Sequence, residues 1–402
     1  MTCTITRRRA LSLAAASSVL AMPAIAQTRE TPGITSTEIL LGQTMPYSGP
    51  ASSYAPIGHV EVAYMDFINA QGGINGRKIK LLSLDDSYSP PKAVEDIRKL
   101  VESDHVAAIF QQLGTPTAVS TRRYLNQRKV PQIFVASGAT LFGDHEHFPW
   151  TIGWQVSYHT EGYVYARYIL EQKSDAKIGM LYQNDDSGKD FSKGFRDGLG
   201  AKVSQLVSVQ SYEVTDPTVD SQVNALHQAG VDALFVASVP RFTALALRAV
   251  TGLGWKPLYV IASVGSSVAS GINPVGPEHA IGLVTGAYMK DPSDPQWEGD
   301  PGYKDWLAFM RKYRAGSELN DINNVYGYCA AQTLIPVLQQ CGEDLSRENI
   351  MRQATNLDIQ LPMFQNGIRF TTTASDYYGI KKLRLQRFDG KGWVPFGEPI
   401  GV

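Results

Sequence analysis

The sequence contains little cysteine, no excess of either charge and, beyond its first residues, no apolar run long enough to cross a membrane. There are three cysteines among 402 residues, and 37 basic against 38 acidic side chains give a formal net charge of −1. Proteins that bind nucleic acid usually carry a basic stripe, and a membrane-spanning helix needs about 20 apolar residues. We therefore predict neither nucleic-acid binding nor direct membrane insertion.

Sequence motifs for nucleotides, cofactors and nucleophilic catalysis are missing as well. No Gly-x-Gly-x-x-Gly follows a first strand, and there is neither a Walker loop nor a Gly-x-Ser-x-Gly elbow. The Asp-His-Glu-His run at 144–147 offers no obvious partners for zinc, which needs three or four converging ligands, and is predicted to be a polar surface loop. An enzyme on an α/β fold is the less favoured interpretation, so we expect no catalytic residues, no cofactor and no metal.

Residues 1–26 have the three parts of an export signal. Arginines at 7–9 precede an apolar stretch at 10–20, and the small-x-small sequence at 24–26 is typical of a cleavage site. We predict cleavage after Ala26, so that the mature chain starts at Gln27 in the periplasm. The paired arginines fit both an ordinary secretory signal and the twin-arginine route.

The cysteines predict neither a lipid anchor nor a disulfide. Cys3 precedes the apolar stretch of the signal, so it cannot serve as a lipid-attachment site after cleavage. Cys329 lies on one predicted helix, 326–340, and Cys341 directly follows its last residue. Twelve helical residues at 1.5 Å each separate the two cysteines by about 18 Å. A disulfide needs Cα atoms within about 7 Å, so we expect two unpaired thiols.

Strands and helices alternate along almost the whole chain. The predicted strands are 38–44, 79–86, 106–110, 132–136, 177–182, 233–237 and 258–262, and the predicted helices are 115–128, 157–171, 188–199, 219–229 and 242–253. Continuous apolar strands between helices are typical of parallel sheets covered on both faces. About 375 mature residues exceed what one hydrophobic core usually supports, so two α/β lobes are expected.

The segment from Asn69 to Ile79 is the most specific motif. Gly72-Gly73 ends a predicted helix where the backbone must turn through positive φ, and Asn75-Gly76 is a tight-turn dipeptide before the next strand. Together with the preceding strand and its Gly- and Pro-containing loop at 45–50, this order closely resembles the opening of the branched-chain amino-acid (leucine/isoleucine/valine) type of periplasmic solute-binding protein. Such proteins are the extracytoplasmic receptors of ABC importers.

The resemblance implies a type I periplasmic-binding-protein fold, with two doubly wound parallel-sheet lobes joined by a three-segment hinge. The chain would cross between lobes near 155–157, 285–287 and 383–387. The N-terminal lobe would then contain residues 33–155 and 286–384. The C-terminal lobe would contain residues 156–285 and 385–402.

Candidate ligand-binding residues follow the carboxyl ends of predicted strands, where doubly wound sheets bind their ligands. They are Tyr47, Tyr54, Gln112, Thr115, Ser137, Gly138, Ala139, Thr140, Trp154, Asn184, Ser187 and Ser263. We predict that Thr115 is an N-cap with Pro116 in the first helical position, where exposed N–H groups would suit a carboxylate. Thr115 could instead only cap its helix.

The resemblance assigns roles to some of these positions. Tyr54 stands where the family has a tyrosine near the cleft, and Thr115 where a serine or threonine holds the ligand carboxylate. The segment 138–140 stands where backbone and hydroxyl groups touch the ligand.

The predicted C-terminal lobe departs from the family pattern. Ser187 stands where the family has a tyrosine, and Ser263 stands where it supplies a glutamate for the ligand ammonium. Because a buried ammonium without a carboxylate partner is costly, this argues against a plain α-amino acid, unless Asp185 or Asp186 substitutes.

Aromatic residues in the predicted cleft favour an apolar or aromatic acid. They are Tyr47, Tyr54, Trp154 and Tyr158. The strings 130–140, 182–190 and 291–297 are similar to the subgroup of the family that takes aromatic and hydrophobic carboxylic acids.

We therefore predict a monomeric receptor that closes around a small hydrophobic or aromatic carboxylate and delivers it to membrane permease subunits of an ABC importer. One alternative is a branched-chain or other amino-acid receptor of the same importer class. Another is a ligand-sensing module for a separate signalling partner.

Overall fold

The computed structural model describes residues 31–401, so the predicted export signal and its cleavage site lie outside the described residues. The first part of the chain forms β1 (Glu38–Met45), α1 (Ala55–Asn69), β2 (Lys78–Asp85), α2 (Pro90–Arg98), β3 (Ala108–Phe110), α3 (Thr115–Gln127), β4 (Gln132–Val135) and β5 (Thr151–Gly153). The middle part forms α4 (Tyr158–Gln172), β6 (Ile178–Gln183), α5 (Asp186–Leu199), β7 (Leu206–Tyr212), α6 (Asp220–Gln228), β8 (Ala233–Ala237), α7 (Pro240–Gly252), β9 (Leu258–Ile261) and β10 (Val284–Ala287).

The last part of the chain contributes elements to both lobes. It forms α8 (Pro301–Tyr313), α9 (Ile322–Gln340), α10 (Arg347–Ala354), β11 (Leu357–Ile359), β12 (Phe370–Thr372), β13 (Lys382–Phe388) and β14 (Trp393–Gly401). Among these elements, α8 and α9 pack on the first lobe: the ring of Tyr64 on α1 lies 5.5 Å from that of Phe309 and 5.2 Å from that of Tyr328, between centroids.

Two sheets form the centres of the two lobes. The first has the strand order β2-β1-β3-β4-β5, and all its pairs are parallel. The second has the order β14-β13-β10-β9-β8-β6-β7 and is parallel from β10 to β7. Every residue of β8 is buried, as expected for a central strand covered on both faces. The predicted two-lobed α/β fold is confirmed.

The second sheet differs from the prediction at one edge, where β13 pairs with β10 and with β14 in antiparallel fashion. A parallel neighbour requires a crossover connection over the face of the sheet. The chain instead reaches β13 directly from the first lobe and continues into β14 through a short turn, so only antiparallel pairing is available.

The chain passes between the two sheets after β5, after β10 and before β13. Val156 and Ile380 form an isolated parallel bridge, so two of the passing segments lie side by side. Because β10 ends at Ala287 and β13 begins at Lys382, the second passage comes after the predicted 285–287 and the third comes before the predicted 383–387.

Cys329 and Cys341 are buried free thiols, as predicted. Burial raises the pKa of the Cys341 thiol to about 12. Among the helices of residues 31–401, none combines the length and apolar composition that a membrane crossing requires.

Candidate functional site

A cavity lies between the two lobes, where the carboxyl ends of strands from both sheets face each other. The first lobe contributes residues that follow β1, β2, β3 and β4, and the second contributes residues that follow β6, β8, β9 and β10. This is the position at which doubly wound sheets bind ligands. The cavity volume is about 80 Å³.

Six aromatic side chains dominate the cavity wall. They are Tyr54, Tyr88, Tyr158, Phe191, Tyr288 and Tyr326. The rings of Tyr158 and Phe191 stack with centroids 4.3 Å apart, and Gln155 donates a 3.0 Å hydrogen bond to the Tyr326 hydroxyl. Burial raises the pKa of each of the five tyrosines above its ordinary value, so all of them are neutral at physiological pH.

The start of α3 supplies the polar side of the first lobe. Thr115 lines the cavity, and its hydroxyl lies 2.7 Å from the hydroxyl of Ser137. The first N–H groups of a helix have no intrahelical acceptor and favour anions. The predicted N-cap role is corrected: Thr115 is the first helical residue, and the N-cap is Gly114 with φ +101°. The hydroxyl of Thr115 is therefore not used for capping.

In the second lobe, a buried carboxylate positions the loop after β9. Glu161 on α4 accepts hydrogen bonds from the backbone N–H of Ser263 at 3.0 Å and from its hydroxyl at 2.6 Å, and a third from Tyr165. Burial raises the pKa of Glu161, and the Ser263 hydrogen bonds partly oppose that shift. Ser263 lines the cavity, but its N–H and hydroxyl donors are already occupied by Glu161.

Ser187, at the start of α5, also lines the cavity, and its hydroxyl donates to Asp185, the N-cap of α5.

Hydrogen bonds connect the lobes around the cavity. The hydroxyl of Tyr54 donates to the backbone oxygen of Val264 at 2.8 Å, and the hydroxyl of Ser267 donates to Asp321, the N-cap of α9, at 3.0 Å. The lobes are therefore closed on each other. A cavity of about 150 Å³ is known to hold benzene, so a ring-sized ligand requires the walls of this smaller cavity to move apart.

Charge is scarce in the cavity wall, and among the described residues that line it the one carboxylate is Asp291. Neither lysine, arginine nor histidine lines this cavity in the described part of the chain. Asp291 follows β10 and is 2% exposed. Its pKa is raised to about 6, mainly by burial, against the opposing effect of hydrogen bonds from Ser293.

Of the predicted ligand-binding residues, Tyr54, Thr115, Ser187 and Ser263 line this cavity. Ser137 and Ala139 lie behind Thr115: the Ser137 hydroxyl accepts from the Ala139 N–H at 3.1 Å, and both residues are buried. The structure brings these six residues to one region.

Gly138 and Thr140 have other partners than a ligand. A Cβ on Gly138 would lie 2.3 Å from the backbone oxygen of Val156, so this glycine allows the passing segment between the lobes to approach. The N–H and hydroxyl of Thr140 donate to Asp190 on α5 at 2.9 and 2.7 Å. Both donors predicted to touch the ligand are therefore occupied.

The remaining four predicted residues do not line the cavity. Tyr47 bonds Ser83 and stacks on His59 in a separate surface groove. Gln112 is buried, and its side-chain oxygen accepts from Thr121 and Gln132.

Trp154 is fully buried and donates to Thr333 at 2.9 Å. Asn184 is exposed and donates to Glu213. These four residues follow strands as predicted, but their side chains lie in the core or at the surface and not in the cavity wall.

Sequence reasoning did not select Tyr88, Phe191, Tyr288, Asp291 or Tyr326. Tyr288 directly follows β10, and Tyr88 lies in the loop after β2, so the strand-end rule that selected Thr115 could have found both. Phe191 and Tyr326 lie inside helices, and Asp291 lies in a loop that the resemblance assigns to the first lobe. For these three residues, no local pattern indicates the cavity.

A family model described as a periplasmic binding protein matches residues 38–392. A curated relative, the Leu/Ile/Val-binding protein homolog 1 of Brucella suis, is 22% identical over 320 residues, which cover 77% of this chain and 81% of the relative.

Solved structures are similar in fold. A branched-chain amino acid ABC transporter protein from Thermus thermophilus with bound valine has a TM-score of 0.80 and 19% identity, covering 92% of this chain and 98% of that one. A solute-binding protein of an ABC transporter from R. palustris, in complex with benzoate, has a TM-score of 0.76 and 17% identity, covering 91% and 98%.

Proposed function

This chain belongs to the periplasmic binding protein family, and from that premise we propose that it is the receptor of an ABC importer that captures a small hydrophobic or aromatic carboxylate. Proteins of this family bind solutes and do not transform them, and they work outside the cytoplasm. In this proposal the chain acts as a monomer, in the periplasm after cleavage at Ala26, and delivers its ligand to membrane permease subunits.

The composition of the inter-lobe cavity is the observation that carries the proposal. Aromatic rings from both lobes supply a large apolar contact area, and ring pairs add about 0.5–1.5 kcal/mol each beyond area burial. The start of α3 supplies N–H groups and the Thr115 hydroxyl for one anionic group. A mainly aromatic wall with a single site for an anion suits an organic acid better than a sugar.

Ligand-driven closure is the proposed mechanism. The three segments that pass between the lobes form the hinge. The proposed lobes have the bounds given above, except that the second passage follows Ala287 and the third precedes Lys382. A ligand that contacts both walls shifts the population toward the closed state only by its differential affinity for that state. The closed form then offers the permease a surface that the open form lacks.

A branched-chain or other amino-acid ligand is the second candidate. The relative named for leucine, isoleucine and valine supports it, as does the presence of the Asp291 carboxylate in the cavity wall. The two candidates share the receptor role and differ in whether the ligand carries an amino group.

Calorimetry combined with small-angle scattering tests the receptor function. We expect a member of a panel of aromatic acids, aliphatic acids and amino acids to bind saturably, and the radius of gyration to fall when it does. Binding without any change in that radius would contradict the closing mechanism, and the absence of binding across the panel would contradict the proposed ligand class.

A further inference from the structure

Asp291 is an unusual residue in the wall of an otherwise uncharged cavity. It is 2% exposed. Its Oδ1 accepts hydrogen bonds from the N–H and the hydroxyl of Ser293, at 2.9 and 2.5 Å. Its Oδ2 accepts none of the hydrogen bonds found among the described residues. One oxygen of a buried carboxylate in the cavity wall therefore has unused acceptor capacity.

Within residues 31–401, the surroundings of Asp291 add negative charge and no compensating cation. Asp294, in the same loop, and Asp321, at the start of α9, both act on it by like-charge repulsion. The neighbouring Lys290 is bound elsewhere: its Nζ lies 2.7 Å from Asp300 and donates to the backbone oxygen of Pro362. Burying an anion without a partner is costly, so this end of the cavity favours a positive group.

The aromatic walls favour the same kind of group. Tyrosine and phenylalanine faces attract cations, most strongly when water is excluded. Tyr288 is three residues from Asp291 and lines the same cavity. The free oxygen of Asp291 and the aromatic walls both favour a cation, wherever in the cavity the ligand carboxylate is bound.

We propose that Asp291 is a specificity-determining residue that selects ligands carrying a protonated amine in addition to the carboxylate. This inference rests on the proposed receptor function and, of its two candidate ligand classes, favours the one that carries an amino group. The sequence argued against an amine-bearing ligand because Ser263 stands where the family has a glutamate. A carboxylate at Asp291 removes that argument. The missing carboxylate is supplied by the loop after β10 instead of the loop after β9.

The test compares two matched pairs of ligands that differ only in the amino group. The pairs are L-phenylalanine with 3-phenylpropanoate, and L-leucine with 4-methylpentanoate, each measured by calorimetry on the mature protein. We expect the amine-bearing member of at least one pair to bind about tenfold or more tightly than its partner, as for a charge-assisted contact.

The variant Asp291→Asn keeps the shape and the acceptor for Ser293 but removes the charge. It should reduce the preference for the amine-bearing ligand by about tenfold, while binding of the acid that lacks the amine changes little. Asp294→Asn is the matched control: it removes the same charge three residues away, and Asp294 does not line the cavity. Thermal unfolding would show that both variants are folded.

The pH dependence gives an independent readout. Since the pKa of Asp291 is raised to about 6, affinity for the amine-bearing ligand should rise between pH 5 and pH 8 in the wild type and stay flat in Asp291→Asn. Asp294→Asn should retain the rise and so separate Asp291 from its acidic neighbour.

The outcomes distinguish the inference from the function on which it rests. If the acids without an amine bind as tightly as their partners, or if Asp291→Asn leaves the preference unchanged, the inference is wrong and the receptor function stands. If neither these four compounds nor a wider acid panel binds, the proposed function fails and the inference fails with it.

Discussion

At the scale of single residues, the hydroxyl of Thr115 is the most direct test of where the ligand carboxylate binds. It lines the cavity at the start of α3, and among the described residues its one hydrogen-bond partner is the Ser137 hydroxyl. Losing a hydrogen bond to a charged group costs about 1.5–3 kcal/mol, so Thr115→Val should weaken ligand binding about tenfold or more. Calorimetry with the ligand found in the panel measures the change.

The matched control at this position is Thr115→Ser, which keeps the hydroxyl and should retain most of the affinity. Equal affinities for the valine variant and the wild type would assign the carboxylate to another part of the cavity. A circular-dichroism melt of both variants checks that the fold is intact.

A second residue-scale prediction concerns Glu61 on α1. Its side chain is fully buried, Gln43 donates to one oxygen, and the other oxygen has no hydrogen-bond partner in the described chain. Burial raises the pKa of this carboxyl well above its ordinary value of 4.5. The folded state therefore keeps a proton that the unfolded state loses above that pH, so the contribution of Glu61 to stability decreases as pH rises from 4.5.

Replacing Glu61 with glutamine removes this titration. We expect the melting temperature of Glu61→Gln to exceed that of the wild type at pH 8, with a difference that shrinks as pH falls toward 4.5. Calorimetric melts across that range measure it. A difference between the two proteins that does not vary with pH would mean that Glu61 is ionised in the folded protein.

At the scale of elements, the loop after β4 controls how closely the segments between the lobes approach. A Cβ at position 138 would lie 2.3 Å from the Val156 oxygen and 2.7 Å from the Tyr158 ring. Overpacking of this kind costs about 1–3 kcal/mol. Gly138→Ala should therefore destabilise the fold by that amount in denaturant titrations, and should weaken ligand binding because the Tyr158 ring is part of the cavity wall.

Gly252→Ala is the control for this prediction, because Gly252 lies at the end of α7 and a Cβ added there would have no other atom within 4 Å among the described residues. Its effect on stability should be below about 1 kcal/mol. Equal stabilities of the two variants would contradict the steric role of position 138.

The elements themselves were largely predictable. The strand at 233–237 and the helix starting at 115 appear with the same bounds or starting residues, because continuous apolar runs and a proline at the helix start are local signals. The antiparallel β13 and β14 were not predictable in this way, since strand direction depends on the lobe from which the chain arrives.

At the scale of the whole molecule, the hydroxyl of Tyr54 connects the two lobes across the cavity. A net hydrogen bond contributes about 0.5–1.5 kcal/mol, so Tyr54→Phe should shift the population toward open forms. Small-angle scattering without ligand should give a larger radius of gyration for this variant than for the wild type.

Tyr378→Phe is the corresponding control. It removes a hydrogen bond to the Thr140 backbone oxygen, and Tyr378 does not line the cavity, so the radius of gyration should not change. A wild-type radius in Tyr54→Phe would mean that other contacts, such as that between Ser267 and Asp321, hold the lobes together.

The sequence alone determined the class of fold and one part of the site. Alternating apolar strands and helices specify parallel sheets, because both faces of each strand must be covered, and this is a property of each local run. The same logic placed Thr115 and Tyr54 at the carboxyl ends of strands, and both line the cavity.

Only the tertiary structure decided which side chains meet. Thr140 and Gln112 also follow strands, but Asp190 and Gln132 occupy their polar groups. Tyr326 and Asp291 reach the cavity from segments far along the chain from Thr115. The physical reason is that a residue's partners depend on how distant elements pack, and neither periodicity nor spacing within one segment contains that information.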